Sequence, residues 1–339
     1  MRYSEVLNRI LSGGDLDEQT ACDVMTAIMG GELTEAQIAG FLVAMRMKQE
    51  TVDEIVGCAR AMREAATRLD LGEMDLVDTC GTGGDRAGTF NVSTAAALIA
   101  AGAGVRVAKH GNRSVSSHSG SADVLETLGV RIDAAPPTVA RCIREAGMGF
   151  LFAPVFHKAM KHAIGPRRQL GVRTVFNVLG PLTNPAGATR QVIGLFAPGM
   201  VETIAQAIGR LGTRRAWVLH SDDGLDEISI AAPTRVAAVE DGAVRTFTVE
   251  PGALGLNADG AGRIGVSSAE ESARLLESVL AGQEGQALDI ALVNAAAAIV
   301  VGGAAGGLSE ALELARESVR SGRAAAVLEK LVAVSNETD

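Results

Sequence analysis

The sequence predicts an α/β protein: a small N-terminal all-helical domain followed by a larger α/β domain on a mostly parallel central sheet. Three observations lead there. Up to about residue 68 the apolar pattern is helical. From about residue 74, short apolar runs alternate with helical stretches, the rhythm of strands and crossover helices. The chain is 47% hydrophobic but only 3% aromatic, with 40 glycines, so Ala, Val, Leu and Ile must build the core and the backbone must turn tightly.

At 339 residues the chain exceeds one modest core. The change of rhythm divides it into 1–70, a helical unit, and 71–339, with a segment near 163–185 expected to return to the helical part. Within the first unit, Asp15 with Glu18, Thr34 with Gln37 and Thr51 with Glu54 each place an N-cap residue three positions before a Glu or Gln. At that spacing both side chains satisfy free amides at a helix start. Ile38, Phe41, Leu42 and Met45 mark one buried helical face, and the glycine pairs at 13–14 and 30–31 fit helix ends.

Strands are expected at Asp75–Thr79, Val105–Lys109, Gly149–Ala153, Gln191–Phe196 and Ala216–Ser221. Glu240-Asp241-Gly242 signals a hairpin turn within Val236–Val249, an antiparallel addition to the sheet. Residues 268–335 read as Ala-rich helix.

A net charge of −9 argues against non-specific nucleic-acid binding, which needs a basic surface to displace counterions. Cys22, Cys58, Cys80 and Cys142 form no CxxC pair, which suggests neither zinc nor a disulfide framework. The start, MRYSEVLNRI, has no signal-peptide pattern. The apolar segments near 95–105 and 291–307 are broken by Gly and Asn, short of the ~20 apolar residues of a membrane span. A soluble, cytoplasmic enzyme is the expectation.

Five segments carry chemistry. Gly81–Asp85 (GTGGD) follows an expected strand and precedes a helix beginning near Ser93, so its amides could face phosphate without Cβ obstruction. It is neither GxGxxG nor a P-loop, and alone it could be a tight turn. Thr89, Asn91, Ser93 and Thr94 add hydroxyl and amide groups at the helix mouth, more than N-capping requires. Lys109–Ser121 (KHGNRSVSSHSGS) joins two cations, two glycines and five serines directly after a strand, where parallel sheets bind ligands. Asp222, Asp223, Asp226 and Glu227 occupy a turn after another strand, and the adjacent Asp226 and Glu227 suit Mg²⁺. Arg167, Arg168 and Arg173 precede FNVLGPLTNP; one could clamp a carboxylate, and two are expected on a solvated face.

Together DTCGTGGD, TFNVST, KHGNRSVSSHSGSADVLE, RRQLGVRTVFNVLGPLTNP and DGLDE, in that order, resemble the anthranilate phosphoribosyltransferase family along nearly the whole chain. The resemblance implies a fold shared with pyrimidine nucleoside phosphorylases and a homodimer formed through the helical domains. The implied reaction joins phosphoribosyl pyrophosphate (PRPP) and anthranilate, giving N-(5-phosphoribosyl)anthranilate and pyrophosphate with Mg²⁺, the second step from chorismate to tryptophan. It assigns PRPP to Gly81, Gly84, Asp85, Thr89, Asn91, Val92, Ser93, Thr94, Lys109, His110, Gly111, Asn112, Arg113, Ser114, Val115, Ser116, Ser117 and Ser121. Anthranilate falls to Gly81, Asn112 and Arg167, and the metal to Ser93, Asp226 and Glu227. No catalytic proton carrier is assigned, although His110 is a candidate. Two positions depart from the family pattern: His118 stands where Arg or Lys is common, and Lys158 where Pro is frequent.

The rival readings are a pyrimidine nucleoside phosphorylase and a non-catalytic nucleic-acid-binding relative. The first should carry GHTGGTLDKLE where this chain reads SSHSGSADVLE, and the second should show a basic face and an eroded DGLDE.

Overall fold

The computed structural model describes residues 2–85, 87–114, 119–256 and 264–337. Helices Tyr3–Leu11, Glu18–Gly30, Glu35–Lys48 and Val52–Ala65 form the N-terminal bundle. Thr34 with Gln37 and Thr51 with Glu54 form reciprocal capping boxes, as their spacing requires. The cap of the second helix is Asp17, which accepts the Thr20 amide at 2.8 Å, and not Asp15. The Asp15 carboxylate is instead held by the Lys48 ammonium at 2.8 Å.

The sheet has seven strands: β1 Val77–Asp78, β2 Val107–Gly111, β3 Met148–Phe152, β4 Arg190–Gly194, β5 Arg215–Ser221, β6 Thr234–Glu240 and β7 Ala243–Val249. Their order is β3-β2-β1-β4-β5-β6-β7. The first five in that order are parallel, and β6 and β7 are antiparallel additions. Asp241 and Gly242, both at positive φ, make the two-residue turn that Glu240-Asp241-Gly242 signals.

Two strands differ from expectation. β1 is only two residues long, because Asp78 Oδ1 accepts the Cys80 amide at 3.0 Å and turns the chain out of the ladder. β2 continues to Gly111, which places Lys109 inside the strand and not at its end.

Alternation along β5 sends Trp217 and Leu219 to one face and Ala216 and Val218 to the other. The first face packs under helices Val92–Gly102 and Gln286–Gly302. The second packs on helix Val201–Arg210 and merges with the bundle core through Ala163, Val175, Val178 and Leu182. Helix Lys161–Leu170 lies against helices Glu18–Gly30 and Glu35–Lys48. Arg63 joins bundle to sheet layer, donating to the Leu182 carbonyl at 2.6 Å and the Leu211 carbonyl at 2.9 Å. The chain winds outward from β1 to β3, then returns to place β4 on the other side of β1. Such a reversal opens a crevice at the carboxyl ends of β1 and β4, the usual ligand position in open parallel sheets.

Candidate functional site

The GTGGD loop crosses that crevice. Thr82 N donates to the Gly194 carbonyl at 2.8 Å, and Phe196 N donates to Thr82 Oγ1 at 3.1 Å. These backbones stack so closely that a Cβ on Gly194 would overlap the Asp226 carbonyl oxygen. Gly84, at φ +83°, adopts a left-handed conformation that favours glycine, and its carbonyl accepts the Arg173 guanidinium. Arg173 also stacks on Phe196, 3.8 Å from the ring centroid. The expectation of two solvated arginines therefore fails: only Arg168 is exposed. Arg167 lies 4.9 Å from the Phe176 ring centroid, and burial lowers its pKa. No carboxylate among the described residues pairs with it, which leaves a cation without an anion in a largely covered position.

At the next helix mouth, Thr89 pairs with Gly265 across an isolated bridge. The Asn91 side chain does not cap the helix. Its Oδ1 accepts Ser119 Oγ at 2.9 Å and Ser272 Oγ at 2.7 Å, tying the serine loop to the C-terminal helices. Val92 is buried, and Thr94 is fully buried with Oγ1 unpartnered.

Lys109 is buried inside β2. Its ammonium donates to Thr79 O at 3.1 Å, Thr79 Oγ1 at 3.0 Å and Ser93 Oγ at 3.2 Å. An ammonium has three protons, so all are given to neutral oxygens. Burial lowers its pKa, and the nearby Asp78 and Glu227 only partly offset that. His110 lies beside it. Its Nδ1 meets the Gly180 carbonyl at 3.1 Å, the pairing of a neutral imidazole carrying its proton there. Burial, then His157, pushes its pKa down to about 3. Its Nε2 is a buried acceptor without a donor, as is that of His157, whose ring centroid lies 5.0 Å away.

At the end of β2, a Cβ on Gly111 would collide with Ser121 and Phe150. Asn112 Oδ1 accepts the Arg113 amide at 2.8 Å. The Arg113 guanidinium is committed to Asp123 at 3.0 Å and Glu126 at 2.7 Å. Asp123 also accepts the amides of Ser114 at 3.0 Å and Gly120 at 2.9 Å, while Ser121 begins helix Ser121–Thr127. Val115, Ser116, Ser117 and His118 lie outside the described residues.

Asp85, Asp226 and Glu227 lie near enough at the crevice floor for their charges to act on one another. Desolvation, then repulsion from Asp85, raises the pKa of Asp226. Desolvation, then Asp226, raises that of Glu227 well above the carboxylate range, although the Ser93 amide donates to it. Asp85 Oδ1 accepts the Ala87 amide at 3.0 Å, but its Oδ2 is buried without a donor. Hard oxygen donors whose negative charges repel one another are a fitting set for Mg²⁺. Asp222 is exposed and Asp223 accepts Ser229 Oγ at 2.7 Å, so neither joins the group. A second group with metal-ligand chemistry, Asp78 with Cys80 and His110, has its carboxylate already committed to hydrogen bonds. Asp78 accepts Asn184 Nδ2 at 2.7 Å, Cys80 N at 3.0 Å and His110 N at 3.1 Å.

Sequence reasoning missed Arg173, His157 and Asn184 as parts of this site. The NP of PLTNP was the one available signal for Asn184, because such dipeptides mark turns.

Residues 73–325 match the family described as "Glycosyl transferase family, a/b domain", and residues 4–66 match its helical bundle domain. The anthranilate phosphoribosyltransferase of Thioalkalivibrio sulfidiphilus is 54% identical over 332 residues, 98% of each chain. That of Moorella thermoacetica is 52% identical over 96% of each. Among solved structures, anthranilate phosphoribosyltransferase from Thermus thermophilus superposes with a TM-score of 0.91 at 43% identity, covering 98% of this chain and 99% of that one. The Saccharomyces cerevisiae enzyme, solved in complex with PRPP and Mg, gives 0.89 at 28% identity, with 98% and 97% covered. With the crevice, the carboxylate group and these likenesses in agreement, the chain belongs to the anthranilate phosphoribosyltransferase family.

Proposed function

We propose that the chain transfers the phosphoribosyl group of PRPP to the amine of anthranilate, releasing pyrophosphate. The carrying observation is that Asp85, Asp226 and Glu227 act on one another's charge near Ser93 and the glycine loop, at the sheet's topological reversal. In support, a yeast relative was solved with PRPP and Mg, and also with 4-fluoroanthranilate.

Ser93, Asp226 and Glu227 would hold magnesium, with Asp85 added by its donorless Oδ2. When bound, the ion supplies positive charge against the departing pyrophosphate. The chain supplies the rest. The GTGGD backbone and the start of helix Val92–Gly102 offer amides to phosphate oxygens. Lys109 acts as a fixed charge behind them, since its protons are already given away. Arg167 clamps the anthranilate carboxylate, assisted by Asn112 and by close approach at Gly81. The neutral His110 and His157 present Nε2 acceptors that suit N–H donors, so His110 orients and does not carry a proton as imidazolium. The aromatic amine is neutral at physiological pH and attacks C1 of the ribose as the bond to pyrophosphate breaks. Positioning and electrostatics carry the rate.

The large apolar side chains that stay exposed, Leu11, Met47, Ile164 and Val172, lie on the N-terminal bundle or on the segment returning to it. They support a homodimer formed through the helical unit, 1–70 with 163–185, which light scattering would test. No helix among the described residues is long and apolar enough to cross a membrane.

Pyrophosphate release requiring both PRPP and anthranilate supports the proposal. Phosphorolysis of a pyrimidine nucleoside in its place would refute it.

A further inference from the structure

Asp226 and Glu227 sit on the loop between β5 and β6, and a loop orients a cation only as well as its backbone is held. Asn294 is buried in helix Gln286–Gly302, between buried Val293 and Ala295, in a helix with no use for an amide of its own. Its Oδ1 accepts Ile228 N at 2.8 Å, and its Nδ2 donates to Ile228 O at 3.0 Å and Ile290 O at 2.8 Å. One carboxamide therefore clasps both backbone groups of the residue that follows Glu227. The fully buried Ser221 holds the flanking groups: its Oγ donates to Glu227 O at 2.6 Å and accepts Ser229 N at 3.1 Å. From the third side Asp226 O fills the space that a Gly194 Cβ would need.

We propose that Asn294, with Ser221, is a positioning residue that sets the direction in which Asp226 and Glu227 face a divalent cation. This rests on the reading of those carboxylates as the magnesium site. A donor and an acceptor on one planar group fix both the height and the rotation of the peptide units beside Glu227. An apolar residue at 294 would leave Ile228 N and O buried without partners, and the loop would move to satisfy them.

The test is a Mn²⁺ titration of the full chain followed by electron paramagnetic resonance, for wild type, Asn294→Ala, Ser221→Ala and Asp226→Asn, with Mg²⁺-dependent kinetics alongside. Asn294→Ala should weaken Mn²⁺ roughly ten- to a hundredfold, the effect of losing a group that orients a metal's ligands. The Mg²⁺ needed for half-maximal rate should rise in step, while kcat recovers at saturating Mg²⁺ and the anthranilate KM stays put. A merely structural residue would not give that split. Ser221→Ala should shift Mn²⁺ in the same direction, and it decides the matter if Asn294→Ala does not fold. Wild-type Mn²⁺ affinity in the variants that fold, with Asp226→Asn weakened, overturns the proposal. Unchanged affinity in Asp226→Asn overturns the magnesium assignment itself, and this proposal with it.

Discussion

Two ionic clusters built on covered charges, one in the helical bundle and one in the crevice, use the same residue types to opposite ends. In the bundle, the Lys48 ammonium donates to Asp15 at 2.8 Å, Glu54 at 2.9 Å and the Gln49 carbonyl at 2.9 Å. Glu54 also accepts the amides of Leu16 at 2.9 Å and Thr51 at 2.8 Å. Burial lowers the Lys48 pKa, but its bonds to Asp15 and Glu54 outweigh that and raise it. In the crevice, Lys109 gives all its protons to neutral oxygens and its pKa falls, while the nearby carboxylates rise. The first cluster is closed and serves the fold. The second gathers carboxylates that repel one another, the arrangement proposed above to hold magnesium.

The comparison can be broken at either cluster. The largest effect belongs to the crevice: Asp226→Asn with Glu227→Gln should lower the rate roughly a hundred- to a thousandfold. Melting in metal-free buffer should not drop, because repelling charges are removed. Glu54→Gln should do the reverse. It leaves Lys48 poorly paired and should cost about 3 kcal/mol of stability, read by urea unfolding, with kcat per folded molecule unchanged. A fall in kcat there would show that the bundle cluster is not merely structural.

Arg167→Ala sharpens the division within the crevice. The anthranilate KM should rise roughly tenfold or more, the worth of a charge-assisted hydrogen bond, with the PRPP KM nearly constant. Equal loss of both would remove Arg167 from its role. The smallest effect is acid sensitivity. His110 and His157 titrate near 3 and 4 when folded, because burial disfavours their charged forms, and near 6.5 when unfolded. At these two positions the unfolded chain takes up protons first as pH falls, so their contribution to stability declines from about pH 6.5 toward 4, while the raised pKa values of Asp226 and Glu227 act in the opposite direction. Read as the difference between wild type and His157→Gln, the share of that one imidazole between pH 7 and pH 6 should be about 0.7 kcal/mol lost by wild type. A difference that stays constant across that range would mean the imidazole is not held neutral.

Features set by near neighbours in the chain were legible in the sequence. The two capping boxes, the Asp241-Gly242 turn and the glycine loop each depend on residues within a few positions of one another. What was not legible depends on strand order. Nothing near Asp85 says that it will face Asp226, because that follows from β4 lying between β1 and β5. Arg173 reads as one of three arginines, two of them expected on the surface, until Gly84 and Phe196 are brought to it. Lys109 reads as a phosphate ligand until Thr79 and Ser93 are seen to use its protons. Asn294 reads as a break in an apolar helix until Ile228 is placed against it.

The most direct test is calorimetric titration of PRPP into wild type and into the Asp226→Asn, Glu227→Gln double variant, each with Mg²⁺ and with chelator. Expected is tight wild-type binding that needs Mg²⁺, and in the double variant weak binding that Mg²⁺ no longer changes. PRPP binding that is equally tight in all four experiments would contradict the reading of the crevice carboxylates as a magnesium site.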